Sequence, residues 1–192
     1  SGAPDIARTT TLFESRDRLA YYAKGFLAQA LHLIDANDTT RTDALLSDLI
    51  NGAALGANGA HWNEAERDWW NWNTDTRTTA IALDTFVLLQ PDNDLIPNIV
   101  RYLMTQRKAD AWETTQETAW AVMALTDWMV VSGELQPDYD YTAQFNGEVM
   151  AQGTASPENV TESQVFRVEV AEMLADEVNN LVVGRSDGEG VL

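Results

Sequence analysis

One short stretch of this sequence places tryptophans beside carboxylates. Residues 62–72 contain Trp62, Trp69, Trp70, Trp72, Glu64, Glu66 and Asp68. Aromatic rings beside carboxylates are typical of a carbohydrate cleft, where rings pack on the sugar and two carboxylates perform the hydrolysis. Aromatic loops that close the end of a helical barrel have the same composition. We favour the structural interpretation and keep as the alternative an α/α-toroid glycoside hydrolase or polysaccharide lyase that uses Glu64, Glu66 or Asp68.

The remaining residues with catalytic potential are few. The two histidines are His32, within an apolar helical pattern, and His61, beside the tryptophans. One histidine with scattered carboxylates does not make a metal site, and no metalloprotease, nucleophile-elbow or phosphate-loop spacing occurs. Residues 92–94 begin like a calcium loop, but Pro97 stands where that loop needs glycine, so we interpret them as helix-start residues. The sequence therefore assigns no catalytic, cofactor-binding or metal-binding residue.

The composition limits the classes of partner. The chain has 30 acidic and 12 basic residues, a formal charge of −18, and no cysteine. Such a charge repels nucleic-acid phosphates and anionic lipid surfaces, so we exclude nucleic acid and membrane contact for this chain. No run of about 18 apolar residues is present to span a bilayer. Without cysteine there is no disulfide, thiolate metal site or thiol nucleophile.

The clearest structural signal is a helix that starts near Thr115. Thr114 and Glu117 have the spacing of a capping box, in which each side chain accepts a backbone amide at the helix start. From Ala119 to Trp128 nearly every residue is apolar. A helix that is apolar all round is predicted to be covered on both sides.

The same pattern occurs 39 residues earlier in the chain. Asp75–Leu83 aligns with Thr114–Val122 without a gap, and between them residues 91–108 have one apolar face, with Asn98 and Arg101 on the other. A repeat of about 40 residues that alternates a fully buried helix with a half-buried one is typical of helical hairpins stacked in two layers. We expect Ala80, Leu83, Trp120 and Leu125 to be buried.

The N-terminal third fits the same alternation. Residues 1–14 are polar and aperiodic and are interpreted as a lead-in. Residues 16–36 predict an inner helix with apolar residues on two sides. A second, outer helix should follow, capped by Thr40 and Asp43, and it should end in a glycine-rich loop at residues 51–59.

The character of the chain changes near residue 136. Gly133 and Pro137 end the last helix, and short apolar or alternating segments follow, separated by turn signals such as Asn146-Gly147. The predicted strands are residues 139–145, 148–151, 165–170 and 181–184. Residues 136–192 contain 11 acidic and 2 basic residues, a charge of −9. Four short strands make a poor independent core, so we interpret this part as an incomplete β-sandwich.

Several segments of this chain resemble segments of the α2-macroglobulin family, particularly of its bacterial members, and they occur in the same order as in that family. Residues 96–107 and 114–125 are similar to the closing part of the thioester domain shared with complement components. In the family, a "P-x-I-V-R-W-L-x-x-Q-R" segment precedes "S-T-Q-x-T-x-x-A-L-x-A-L"; this chain has Tyr102 for the Trp and Thr114 for the Ser. Phe145–Gly147 and residues 179–181 are similar to the CUB-like β domain that follows it.

The resemblance implies both a fold and a function. Residues 1–135 would be the C-terminal part of an α/α-toroid thioester domain, and residues 136–192 part of a CUB-like β domain. The function implied is that of a protease trap, an endopeptidase inhibitor and not an enzyme. This chain would carry neither the thioester nor the bait segment of such a trap. The family's Cys-Gly-Glu-Gln motif belongs upstream of Ser1, and no position here matches the complement-type catalytic histidine.

The resemblance also implies partners and a location. The partners would be proteases, acting through the full-length protein, and other domains of the same chain. No cofactor is implied for this part. The location would be extracellular or periplasmic, either free or anchored to a membrane through a segment that precedes Ser1.

Overall fold

The computed structural model describes residues 3–64, 70–160, 162–163, 165–169, 173 and 178–188. The chain divides into two compact units, residues 1–128 and 129–192. The helices described are α1 (Ile6–Glu14), α2 (Tyr21–Ile34), α3 (Thr39–Gly52), α4 (Asp75–Leu89), α5 (Ile96–Gln106) and α6 (Thr115–Val131). The strands described are β1 (Ala54–Gly56), β2 (Gly59–His61), β3 (Tyr139–Phe145), β4 (Glu148–Ala155) and β5 (Leu181–Arg185). The predicted class, mainly α with a small β part, is confirmed.

Helix α4 is the central buried element of the first unit. It contacts α2, α5 and β2. Ten of its fifteen residues are buried, and Ala80 and Leu83 have no exposed surface, as predicted. Two of its buried hydroxyls are satisfied within the helix, since Thr79 and Thr85 donate to the carbonyls four residues earlier at 2.7 and 2.8 Å, and the third, of Thr78, donates to the Glu64 carboxylate at 2.8 Å. A threonine-rich helix can therefore be enclosed with its hydroxyls hydrogen-bonded.

Helix α5 is half-buried, as its one-sided pattern predicts. Ile96, Ile99 and Leu103 are fully buried, and Arg101 is exposed. Asn98, expected to face water, is half-buried. The helix begins later than the predicted residues 91–108, because residues 92–94 lie in the preceding turn, where the Asn93 side chain accepts the Leu95 amide at 2.9 Å. The interpretation of Asp92 and Asp94 as helix-start residues is therefore wrong.

Helix α6 is covered on one side only, which contradicts the prediction of burial all round. Only Glu117, Ala121 and Ala124 are buried. Trp120 and Leu125, expected to lie inside, are half-buried and pack against the core. The opposite stripe is exposed and consists of Ala119, Val122, Met123 and Thr126. The apolar composition of a helix thus did not reveal on how many sides neighbours cover it.

The internal repeat is visible in the buried positions of α4 and α6. Three pairs of buried residues are each separated by 39 positions: Thr78 and Glu117, Ala82 and Ala121, and Thr85 and Ala124. Two of these pairs lie within the predicted gapless alignment of 75–83 with 114–122, and the third extends the same spacing beyond it.

Helix α2 is covered on more than one side, as predicted for residues 16–36, since it contacts α1, α3 and α4 and its Phe26 ring lies 5.2 Å from that of Trp120 in α6. Leu33, which is 80 % exposed, is the one exposed residue of this helix. The helix starts only at Tyr21, after a 3-10 turn at residues 16–18. Gly25 is buried at the contact with α4, where a Cβ atom would lie 2.9 Å from the Thr85 hydroxyl. The absence of a side chain there lets the two helices approach closely.

Residues 1–14 contain a helix, so the prediction of an irregular lead-in is wrong for α1. The Asp5 side chain caps it by accepting the Arg8 amide at 2.9 Å. Thr10 and Thr11 donate to carbonyls four residues earlier. None of the helix residues is buried. Local hydrogen bonds stabilise this helix together with Phe13, which packs against the buried cluster of α2 and α3. An apolar stripe of Ile6 and Phe13 within nine residues is too short to stand out as a helical period.

Two further local predictions need correction. Helix α3 is capped by Asp38, whose carboxylate accepts the Arg41 amide, and not by Thr40 and Asp43, which lie within the helix. The predicted loop at residues 51–59 holds the end of α3 and the first strand of an antiparallel hairpin, in which Leu55 pairs with Ala60. Three glycines in nine residues thus indicated a loop where the structure has the start of a short β-hairpin.

The second unit contains a three-stranded antiparallel sheet in the order β4-β3-β5. Asn146 and Gly147, with φ of 50° and 87°, form the tight turn that their sequence predicts between β3 and β4. β4 extends to Ala155 and β5 to Arg185, one to four residues beyond prediction. Residues 165–169 are described and form no strand, so the strand predicted at 165–170 is wrong for that part. Val165, Leu181 and Val182 are more than half exposed.

Candidate functional site

The tryptophan- and acid-rich stretch, residues 62–72, connects β2 to α4. Trp62 is completely buried, its indole Nε1 donates to the Leu49 carbonyl at 2.8 Å, and its ring packs near Phe86. The structural interpretation is therefore confirmed for Trp62. Glu66, Asp68 and Trp69 lie outside the described residues.

Trp70 and Trp72 differ from Trp62 in their exposure. They are 94 % and 71 % exposed, and Trp72 has a positive φ of 52°. A positive φ is uncommon for a bulky side chain. These two rings do not close the core in the way that the structural interpretation expected.

Glu64 caps a helix to which it is not adjacent in sequence. Its carboxylate accepts the backbone amides of Tyr21 and Tyr22, the first residues of α2, at 3.3 and 3.2 Å. It also accepts the Thr78 hydroxyl at 2.8 Å. Ala20, at the N-cap of α2, has no side chain for this role. Glu64 therefore supplies from a distance the cap, and the negative charge, that a helix N-terminus favours.

Glu117 joins the starts of α4 and α6. The predicted capping box is confirmed, since Glu117 Oε2 accepts the Thr114 amide at 2.9 Å and Thr114 Oγ1 accepts the Glu117 amide at 3.1 Å. The other oxygen, Oε1, accepts the hydroxyl of Thr74 at 2.6 Å. Thr74 itself caps α4 by accepting the Arg77 amide. One buried carboxylate thus connects two helix caps.

A buried arginine lies in the same region. Arg77 is 8 % exposed, and its Nη1 donates to Asn73 Oδ1 at 3.1 Å. Its guanidinium lies 5.3 Å from the ring centre of Tyr22 and 5.9 Å from that of Trp120. Aromatic faces stabilise such a desolvated cation. Arg77 therefore connects residues of α2, α4 and α6.

His61 is stacked on Tyr102, with ring centres 4.5 Å apart and planes nearly parallel. Its Nε2 lies 3.1 Å from Asn63 Oδ1. Burial raises the pKa of Tyr102, a hydrogen bond from Thr76 lowers it, and the carboxylates of Asp75 and Glu117 raise it further. His32 is half-buried in α2, away from these groups in sequence.

The described carboxylates of this region are engaged in holding helix ends. The Glu64 carboxylate accepts three hydrogen bonds and that of Glu117 accepts two, and Asp75 accepts the Glu64 amide at 3.0 Å. We missed Glu64 as a cap because it lies more than 40 residues from the start of α2. One signal could have indicated it, since the α2 start lacks a Ser, Thr, Asp or Asn cap and so needs an acceptor from elsewhere.

Comparison with known proteins adds no assignment. No protein-family model matches this chain, and no curated protein matches it either. Within the described residues no helix has the length and apolar content to cross a membrane. The same residues contain no group of three or more His, Asp or Glu side chains placed to hold a metal ion.

Proposed function

We propose that this chain is part of an α2-macroglobulin-type protease trap and that it contributes scaffold, not chemistry. The observation that best supports this proposal is that the carboxylates of Glu64 and Glu117 cap helices. Both carboxylates accept amides at helix starts, which suits a structural part better than a hydrolytic site. The capping box at Thr114 lies within the segment whose sequence resembles the family.

The helical unit is proposed to be part of an α/α toroid. The buried α4 and the half-buried α5 have the inner and outer character of such a fold, and α4 and α6 repeat every 39 residues at their buried positions. On this proposal, the exposed stripe of α6 with Val122 and Met123 is where further helices of the toroid pack. The second unit is proposed to be part of a CUB-like β domain, which explains the exposed Leu181 and Val182.

The proposed partners are proteases, bound by the complete protein, and other domains of the parent chain. The proposed location is extracellular or periplasmic. The enzyme alternative requires two carboxylates that face a cleft about 5 to 9.5 Å apart. Glu64 is unsuited to that role, because its carboxylate already accepts two backbone amides and a hydroxyl.

A protection assay tests the proposal. The complete reading frame that contains this chain is expressed and incubated with a trypsin-like and an elastase-like protease, and hydrolysis of a large protein substrate is followed. We expect stoichiometric protection by the complete protein and none by this chain alone, because trapping needs a bait segment and a large conformational change. Unchanged hydrolysis with the complete protein, or protection by the isolated chain, would contradict the proposal.

A further inference from the structure

The second unit contains a cavity that no part of the proposed function uses. Its volume is about 460 Å³, it is partly open to solvent, and its lining residues, among those that the structure describes, all belong to residues 129–192. Cavities of roughly 300 to 1,000 Å³ are the size of small-molecule sites. The cavity is thus large enough for a ring system with a short side chain.

Small residues of the sheet form the floor of this cavity. Ala143 of β3 pairs directly with Ala151 of β4, and both line the cavity together with Ala155. Val183, the partner of Ala143 on β5, continues the same face. Residues that face one side of a pleated sheet alternate along each strand, so these side chains belong to one surface. A floor of methyl groups is flat and apolar.

Aromatic residues form part of the wall. Tyr139 and Tyr141 of β3 lie on the same face as Ala143, and Phe166 lines the cavity as well. Tyr141 lies close over Gly153, where an added Cβ would be 2.9 Å from its hydroxyl. An apolar floor with aromatic walls favours a ligand with a flat or aliphatic body.

The charged groups of the lining are of one sign. Glu134 and Glu162 line the cavity, and none of the described lining residues is Lys or Arg. Neither carboxylate forms an ion pair with a described residue. The guanidinium of Arg185 on β5 lies beside this lining, 5.1 Å from the ring centre of Tyr139, and donates to the Gly188 carbonyl at 3.4 Å, so the two carboxylates outnumber the one neighbouring cation. An apolar body with one positive charge complements this lining.

We propose that this cavity binds a small amphiphilic amine, with the apolar body over Ala143 and Ala151 and the ammonium group near Glu134 and Glu162. The proposal is independent of the protease-trap proposal, since it depends only on the lining of the cavity. Binding should weaken as salt is added, because the charge interaction at a partly open site is screened.

Three probes with the same ring test it on the full chain: 1-naphthylmethylamine, 1-naphthylmethanol and 1-naphthoate. Binding is measured by calorimetry, and methyl NMR shifts of Ala143, Ala151 and Val183 locate it. We expect the amine to bind about fivefold more tightly than the alcohol, the size of effect that one partly exposed charge contact gives. The naphthoate should bind more weakly than the alcohol.

Charge-removing variants show whether the amine is bound by the two lining carboxylates or only attracted by the net negative charge of the chain. The double change Glu134→Gln and Glu162→Gln should reduce the affinity for the amine to that for the alcohol. Glu148→Gln, an equal charge change at the exposed start of β4, should leave it unchanged. Equal binding of amine and alcohol by the unaltered chain, methyl shifts outside the cavity, or no binding at millimolar probe would overturn the proposal.

Discussion

The Glu64 carboxylate accepts the backbone amide of Tyr22, 42 residues earlier in the chain, at 3.2 Å. The contact lies at the start of α2, where the chain has no local capping side chain. The first turn of α2 therefore depends on the segment that leads into α4.

Replacing Glu64 by Ala should lower the free energy of unfolding by about 1 to 3 kcal/mol, because two helix amides lose their acceptor and the Thr78 hydroxyl loses one of its two. Urea unfolding measures the change. Hydrogen exchange should also become faster at the Tyr21 and Tyr22 amides. Glu14→Ala, at an exposed glutamate in the same unit, serves as control. Equal stability of the two variants would contradict the capping role.

Asp84 should make stability depend on pH. Burial is the main cause that raises its pKa, the Gln29 hydrogen bond opposes the rise, and the charge of Asp127 adds to it. The folded state therefore holds this proton more tightly than the unfolded chain, and the stability it gives below the unfolded pKa is lost as pH rises through the folded pKa.

Asp84→Asn should prevent this loss of stability at high pH, because the amide side chain stays neutral and its oxygen can still accept the hydrogen bond from Gln29. We expect the variant to be more stable than the parent at pH 7 and similar to it near pH 3, as measured by thermal unfolding across that range. Asp92→Asn, at an exposed turn residue, is the control. A stabilisation that is the same at both pH values would show that Asp84 ionisation is not its source.

Gly147→Ala should destabilise the sheet by about 1 kcal/mol or more, because a φ of 87° is unfavourable for alanine. An added Cβ meets no atom within 4 Å, so the backbone alone is tested. Gly184→Ala is the matched control, since it also meets nothing and has no positive φ. If both substitutions changed the free energy of unfolding by the same amount, the positive φ at position 147 would not be the cause of the destabilisation.

The one-sided burial of α6 is tested by the same substitution at two positions. Ala124→Leu should cost about 1 to 3 kcal/mol, because Ala124 is fully buried and the added methyl groups must displace neighbours. Ala119→Leu, on the exposed stripe, should change stability by less than about 0.5 kcal/mol. A cost at Ala119 as large as at Ala124 would mean that the stripe is covered in solution.

Features that depend on neighbouring residues could be predicted from the sequence. The capping box needs only Thr114 and Glu117, and the hairpin turn needs only Asn146 and Gly147, so each was located correctly. The half-buried α5 followed from its single apolar face. The buried α4 was predicted because its repeat partner is apolar all round.

Features that depend on distant partners could not be predicted. The sidedness of α6 is decided by which elements lie beside it, and its composition of alanine, valine and tryptophan is compatible with one covered side or two. The cap from Glu64 joins residues that are separated by α2, α3 and the β1–β2 hairpin. The lead-in helix α1 buries none of its residues, and it depends on the packing of Phe13 against the cluster formed by α2 and α3, so its nine residues show only a short apolar stripe.

The position of α4 in the chain has a consequence for synthesis on the ribosome. The helix packs against α2 and β2, which are made before it, and against α5, which is made after it. Domains generally fold as units as the chain emerges. Until residue 106 has emerged, the side of α4 that contacts α5 therefore stays uncovered, and the nascent chain presents that apolar surface to chaperones or to other nascent chains.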